Sequence, residues 1–264
     1  MGDRHTFGGT VLHDLSGYGQ NAPISRYNAA NNPWSTISKP YAYNIECGRP
    51  STYWQGTSSG IYADVNDNLA LRVAQLPLTY SWWMAAATYG TQTVFGKYTD
   101  TTAHKVLGLI RLDGLKLTYY VSTAAGGYQS AQWSSNFPTY DWKFCAAVMR
   151  GSYANPVIDL HIGDETETTT LSSGLSTTPA DVPFTIGRPA RWNNHELFHG
   201  WMSDLRVYAR AMSTPEVREL RRQTLGGGYG DIVAQSRPIP RAAEAVETTA
   251  QSAPIFLATT QAGL

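Results

Sequence analysis

The stretch from Phe198 to Thr224, FHGWMSDLRVYARAMSTPEVRELRRQT, decides the fold, because it joins one strand to one short helix. Between Phe198 and Tyr208 the residues alternate, which predicts Trp201, Leu205 and Val207 on one face and Asp204 and Arg206 on the other, the period of a half-buried strand. A helix follows the turn. Ser213 suits the N-cap, Glu216 stands where a capping box needs it, Pro215 is tolerated in the first turn, and Met212 is placed to staple onto Val217. Gly226, Gly227 and Gly228 then stop the helix.

Working outward, Leu78, Tyr80, Trp82, Met84 and Ala86 alternate with Thr79, Ser81, Trp83 and Ala85 behind Pro77, and the apolar character of both faces predicts a central strand. Two further runs, 106–112 and 115–121, flank Asp113-Gly114, which predicts a hairpin with a type I′ turn and an inward row of Leu115, Leu117, Tyr119 and Val121. Trp142, Phe144, Ala146 and Val148 alternate again. A turn over Gly151 to Pro156 leads into a strand whose Ile158, Leu160 and Ile162 face the core, and Asp181 to Gly187 supplies another. Many short strands with one convincing helix predict an all-β fold, a two-sheet antiparallel sandwich over residues 1–225. Residues 226–264 turn to Gly, Ala, Thr, Pro, Ser and Gln and read as an extended low-complexity arm, so the body is expected to be stable without them. Within the arm only the run from Ile255 to Thr259 is strand-like.

Composition narrows function. Among 264 residues, 20 Lys plus Arg balance 20 Asp plus Glu, so no global field favours nucleic acid or an anionic membrane. No apolar run approaches the roughly 18 to 20 residues of a spanning helix, and the start, MGDRHTFGG, has no signal-peptide core, so cytoplasmic synthesis without membrane insertion is expected. Cys47 and Cys145 are too few for a disulfide framework and read as buried thiols.

The segment F-x-G-x-x-x-D-L-R-V-Y-x-R-x-M-S-x-x-E-V-x-x-L strongly resembles the closing strand and helix of laminin-G-like domains in the concanavalin A-like lectin/glucanase superfamily. Asp14 to Ile24, DLSGYGQNAPI, is similar to that family's D-x-S-G-x-G-x-x-G-x-I segment, while SWWMAA, YDWKFCAAVM and FTIGRP resemble its central strands and its I-G-R turn. The resemblance runs from about Gly9 to Thr224 and implies a jelly-roll topology. Relatives open with an apolar strand before the D-x-S-G segment, where this chain has only HTFGGTVLH.

Several constellations bear on chemistry. Trp192, Asn193, Asn194 and His195 cluster in one loop, with Tyr53, Trp54, Tyr128 and Trp133 in others. Aromatic faces stack on sugar rings while Asn and His read hydroxyls, so this is a candidate glycan surface. Trp82, Trp142 and Trp201 are assigned to the core. His195 to His199, HELFH, matches the H-E-x-x-H zinc motif, but Trp192-Asn193-Asn194 and Gly200-Trp201 interrupt the helix that such zinc chemistry needs. Glycosidases of this fold use two carboxylates about 5 Å apart, and Asp159 stands alone in its strand. No catalytic residue is assigned. Asp64 and Asp67, in an oxygen-rich run, are weak calcium candidates, and the same run reads first as an Asx-rich turn; no other cofactor is expected.

A lectin-like body with a low-complexity arm resembles phage virion proteins such as capsid decoration, head-fibre or tail components. The resemblance implies a non-enzymatic structural protein, made in the host cytoplasm and carried on the virion, that binds surface glycans. The alternatives are a bacterial surface adhesin and, behind it, a zinc protease or glycosidase. An unfilled first-strand position would leave a sheet edge open to strand addition. Ile255, Phe256 and Leu257 are therefore expected to anchor on an edge, of this chain or preferentially of a neighbouring virion protein or second copy.

Overall fold

The structure, a computed structural model, describes residues 11–14, 22–26, 41–44, 49–54, 61–65, 76–88, 90–99, 105–177, 183–188, 196–225 and 255–258. Cys47, Asp67 and the Trp192 to His195 cluster lie outside them. The described residues form two antiparallel sheets and one helix. In the first sheet β6 (Leu78–Ala86) lies between β11 (Lys143–Gly151) and β15 (Gly200–Tyr208), and β12 (Pro156–Ile162) and β13 (Glu165–Thr170) continue beyond β11. The other edge of β15 is shared end to end. Its first residues pair with β4 (Arg49–Trp54), itself paired with β3 (Tyr41–Asn44), and its last with β16 (Ile255–Ala258). The second sheet runs β10 (Tyr128–Gln132), β9 (Lys116–Ser122), β8 (Lys105–Asp113), β7 (Gln92–Thr99), β14 (Phe184–Ile186), β5 (Ile61–Val65), β2 (Ala22–Arg26).

The segment TVLHD, expected to be too short for a first strand, supplies β1 (Val11–Asp14). Val11 and Leu12 pair with β2 while His13 and Asp14 pair with β16, so β1 joins the two sheets. The carboxyl-terminal run fills the place between β1 and β15. Leu257 pairs with Leu205, Phe256 with Arg206 and Ile255 with Val207. Ile255, Phe256 and Leu257 therefore add to this chain's own edge, the first of the two places expected for them.

All nine residues of β6 are buried. Tyr80, Trp82 and Met84 meet Phe95, Tyr119 and Phe184 of the opposite sheet in the main core, where Tyr80 and Trp82 contact Phe95 edge-on at 5.4 and 4.9 Å. The other face of β6 meets helix α1 (Thr214–Thr224) through a second cluster of Trp83, Phe144, Ala146, Val148, Tyr208, Met212, Val217 and Leu220. Hydrogen bonds tie both ends of the helical segment to β6. Thr79 Oγ1 donates to the Arg210 carbonyl at 2.7 Å and accepts from the Met212 N–H at 3.0 Å, and the Trp83 indole donates to Thr224 Oγ1 at 2.9 Å. At the cap, the Glu216 carboxylate accepts from the Ser213 N–H and hydroxyl at 2.7 and 2.9 Å.

Two expectations shift by one residue, and the two faces of β11 divide between two cores. Between Ser203 and Arg206, β15 advances three residues while β6 advances two, a bulge at which Asp204 takes φ 54°. The bulge brings Met202, Leu205 and Val207 to the core and leaves Trp201 partly exposed, correcting its assignment to the core. In β11, Phe144, Ala146 and Val148 pack under the helix, and Cys145, a free thiol, Ala147 and Met149 face the main core. In the β8–β9 hairpin Asp113 pairs with Lys116, so the turn residues are Gly114 and Leu115. Gly114 at φ 69° meets the positive-φ requirement of the first central position of a type II′ turn, in place of the expected type I′ turn.

Charged groups inside this frame are paired. Arg206, 8% exposed, donates to Asp204 at 2.8 Å. Burial disfavours the charge of Arg206, but Asp204 and Tyr208 outweigh it and keep the guanidinium ionised. Gly200 explains the F-x-G of the same motif, since a Cβ there would collide with the Ala85 carbonyl oxygen of β6.

Deleting Ser252 to Leu264 removes β16 and uncovers the backbone of β15. The expected result is a melting temperature lower by roughly 5–10 °C, a loss of a few kcal/mol, with increased self-association. A shortened protein that melts with the full chain and stays monodisperse would show that β16 contributes nothing to the sheet.

His161 of β12 is 2% exposed near α1, with Nδ1 2.9 Å from the Thr166 hydroxyl and Nε2 without a partner. Burial pushes its pKa down to about 4, partly opposed by Asp159 and reinforced by Arg218. The unfolded chain takes up this proton below about pH 6.5 while the fold refuses it, so stability present above pH 6.5 is lost as pH falls toward 4. Burial alone would raise the Asp159 carboxyl, but Arg150 and Thr168 hold it below its usual value, so its contribution fades only at lower pH. The expected loss for the protein by pH 5 is about 1–2 kcal/mol. His161→Gln should flatten the decline, read as melting temperature against pH; an unchanged slope would assign the acid sensitivity elsewhere.

Candidate functional site

The loop from Trp133 to Trp142 joins β10 of one sheet to β11 of the other. Backbone hydrogen bonds pin it along its length: Trp133 N–H to Leu117 O at 2.8 Å, Phe137 N–H to Leu115 O at 2.7 Å, and Tyr140 N–H to Ala86 O at 2.7 Å. Trp133 and Phe137 are buried as anchors, at 4% and 1% exposure. The Ser134 N–H donates to Glu167 at 2.8 Å, its hydroxyl bonds the same carboxylate, and the Trp133 indole donates to Ser135 Oγ at 3.0 Å.

Beside this loop opens a cleft of about 490 Å³. Its floor is Trp83 and Phe144, the end of the apolar cluster under the helix. Ser135, Asn136, Pro138, Asp141 and Trp142 of the loop form one wall, the β12–β13 turn supplies Gly163, Asp164 and Glu165, and the end of α1 supplies Arg221 and Leu225. Trp142 is half-buried, packed on the floor cluster while still lining the opening. Two ion pairs shape the rim, Lys143 to Asp141 at 2.7 Å and Arg221 to Asp164 at 2.6 Å. Pairs this exposed add little stability. Each engages one carboxylate oxygen, which leaves the other to accept from a ligand hydroxyl. A flat aromatic face ringed by carboxylates, an amide and two cations suits a hydrated, hydroxyl-rich ligand.

The structure redistributes the aromatic residues. Trp54, at 1% exposure, and Trp133 belong to the main core, so neither is a surface platform. Trp142, expected in the core, lines the cleft. Its signal lay in its neighbours: in Tyr140-Asp141-Trp142-Lys143 an aromatic residue stands between charges at a strand entrance. Tyr53 takes the register position opposite Trp201. Tyr128 is 59% exposed and contacts Tyr120 at 5.6 Å on the β9–β10 pair, away from the residues that line the cleft.

Other candidates resolve into structural pairs. Both oxygens of Asp64 are engaged by Arg188, whose guanidinium stacks over Tyr62 at 3.8 Å, so this carboxylate is not open to calcium. Among the described residues no three His, Cys, Asp or Glu side chains converge as metal ligands. The described part of the HELFH run is extended, with Leu197 bridged to Thr93, Phe198 buried and Glu196 bonded to Arg111 at 2.9 Å. Asp159 is engaged by Arg150 through both oxygens and accepts from Thr168 at 2.7 Å.

Residues 56–218 match the profile of a laminin G family described as Concanavalin A-like lectin/glucanases superfamily. No curated protein sequence matches the chain. Among solved structures, one of botulinum neurotoxin type C, whose cell entry is dependent upon interaction with two ganglioside molecules, is similar at TM-score 0.57 and 13% identity, over 81% of this chain and 50% of that one. The binding domain of botulinum neurotoxin DC, in complex with rat synaptotagmin II, is similar at TM-score 0.56 and 12% identity, over 82% and 51%. At such identities the likeness is one of fold, and this chain spans about half the length of those it matches.

Proposed function

Because the chain belongs to the Concanavalin A-like lectin/glucanases superfamily, we propose that it is a carbohydrate-binding module that acts by binding and not by catalysis. The observation that carries this is the half-buried Trp142 at the mouth of a preformed cleft, surrounded by Asn136, Asp141, Asp164 and Glu165. The acids that catalysis would need are held by arginines, Asp159 by Arg150 and Glu196 by Arg111. The solved neurotoxin chain whose cell entry is dependent upon gangliosides shares the fold over half of that chain, which supports the reading as a precedent.

The finer reading places this module on a virion, as a capsid decoration, head-fibre or tail component that meets host-surface glycans. It is supported by the resemblance of a lectin-like body and low-complexity extension to such proteins, and mass spectrometry of purified particles and of cell envelopes separates it from a bacterial adhesin.

Screening on a glycan array, with Trp142→Ala and Trp192→Ala alongside the native protein, tests the site. Trp142→Ala should lower affinity about five- to tenfold or more, the worth of one stacking face, with a small change in melting temperature. Trp192→Ala reports separately on the 192–195 loop. Loss of binding in Trp192→Ala alone would move the site to the 192–195 loop.

A further inference from the structure

We propose that Tyr140 and Trp201 form a second stacking platform beside the cleft, so that the ligand is an oligosaccharide of at least two units; this rests on the carbohydrate-binding reading of the Trp142 cleft. Tyr140 is 68% exposed, more than any other large hydrophobic side chain among the described residues. So exposed a ring adds little to the burial that drives folding. Its backbone nevertheless sits at φ 60°, the left-handed region that a bulky residue enters only at a cost and that Gly or Asn occupies readily.

The surroundings enforce that conformation. Phe137 is buried upstream, Thr139 bridges Ala86, and the Tyr140 N–H donates to the Ala86 carbonyl at 2.7 Å. The phenol ring then leans on Trp201, with centroids 6.4 Å apart and planes inclined at 57°. Trp201 is available on this side because the bulge at Asp204 assigns the core position to Met202. Folding accounts for the bulge and the loop anchors but gives no reason for an aromatic side chain at a strained, exposed position.

A ligand does. Tyr140 and Trp142 flank Asp141, so their Cα atoms lie within about 7 Å of each other. Asp141 itself lines the cleft and uses one oxygen on Lys143. Two aromatic faces with a carboxylate between them fit adjacent pyranose rings. Each ring lays its C–H face on an aromatic surface, and a hydroxyl near the linkage donates to the remaining Asp141 oxygen.

The test is a printed array of mono- to hexasaccharides from bacterial and animal surfaces, followed by calorimetry with the best-bound glycan and its shorter fragments. Native protein, Tyr140→Gly, Tyr140→Phe and Trp142→Ala are compared. Native affinity should rise with glycan length. Tyr140→Gly should lose about tenfold on the longest glycan, match the native protein on the shortest fragment that binds, and melt at or above it because the strain is relieved. Tyr140→Phe keeps the stacking face and should retain the length dependence, while Trp142→Ala binds more weakly than the native protein at every length. If Tyr140→Gly binds every length as the native protein does, or melts well below it, Tyr140 is scaffolding; the proposal is then overturned and the cleft reading stands. A blank array for the native protein removes both.

Discussion

The structure depends on covering β6 on both faces. A strand that carries Trp82 on one side and Trp83 on the other cannot lie at the surface of a two-layer sandwich, so a third layer is required. Helix α1 supplies it, clamped at Thr79 and at Trp83 by hydrogen bonds that satisfy buried polar atoms as well as fixing position. The closing strand and the helix are contiguous in sequence because one protects the edge of β6 and the other its outer face. The cleft lies where this cover ends. Its floor residues Trp83 and Phe144 are members of the cluster under the helix, and its wall residue Trp142 packs against the same cluster.

A site placed there is preorganised by the fold. The loop that carries Asp141 and Trp142 is held at Leu117, Leu115 and Ala86, and so it spans both sheets and follows their separation. Ordering such a loop in advance lowers the entropy lost on binding a flexible ligand. The distribution of charge agrees with recognition in place of chemistry. Arg150, Arg111 and Arg188 neutralise the acids Asp159, Glu196 and Asp64, while Asp141 and Asp164 at the cleft rim sit in exposed pairs.

The sequence made β6, β15, the capped helix and the two-sheet arrangement legible because each rests on local periodicity and turn chemistry. Period two loses count at a bulge, so Trp201 and Met202 exchange faces once Asp204 adopts positive φ. The alternation in β11 did not by itself say which face meets which layer. Both of its faces are apolar, and only the docked helix makes Phe144, Ala146 and Val148 a second core. The aromatic residues of the site were the hardest to place. Trp54, Trp133 and Trp142 all sit at ends of strands or in loops, and what distinguishes them is tertiary cover, which no local pattern encodes.

The most direct measurement is the ¹H–¹⁵N spectrum of the indole groups of the eight tryptophans, assigned by substitution and followed while the best-bound saccharide is titrated. The Trp142 resonance should move with saturable dependence on ligand, while those of Trp54 and Trp82, buried in the main core, stay in place. A titration in which the Trp192 resonance moves and Trp142 does not would contradict the account, since the ligand would then not engage the aromatic face that lines the cleft.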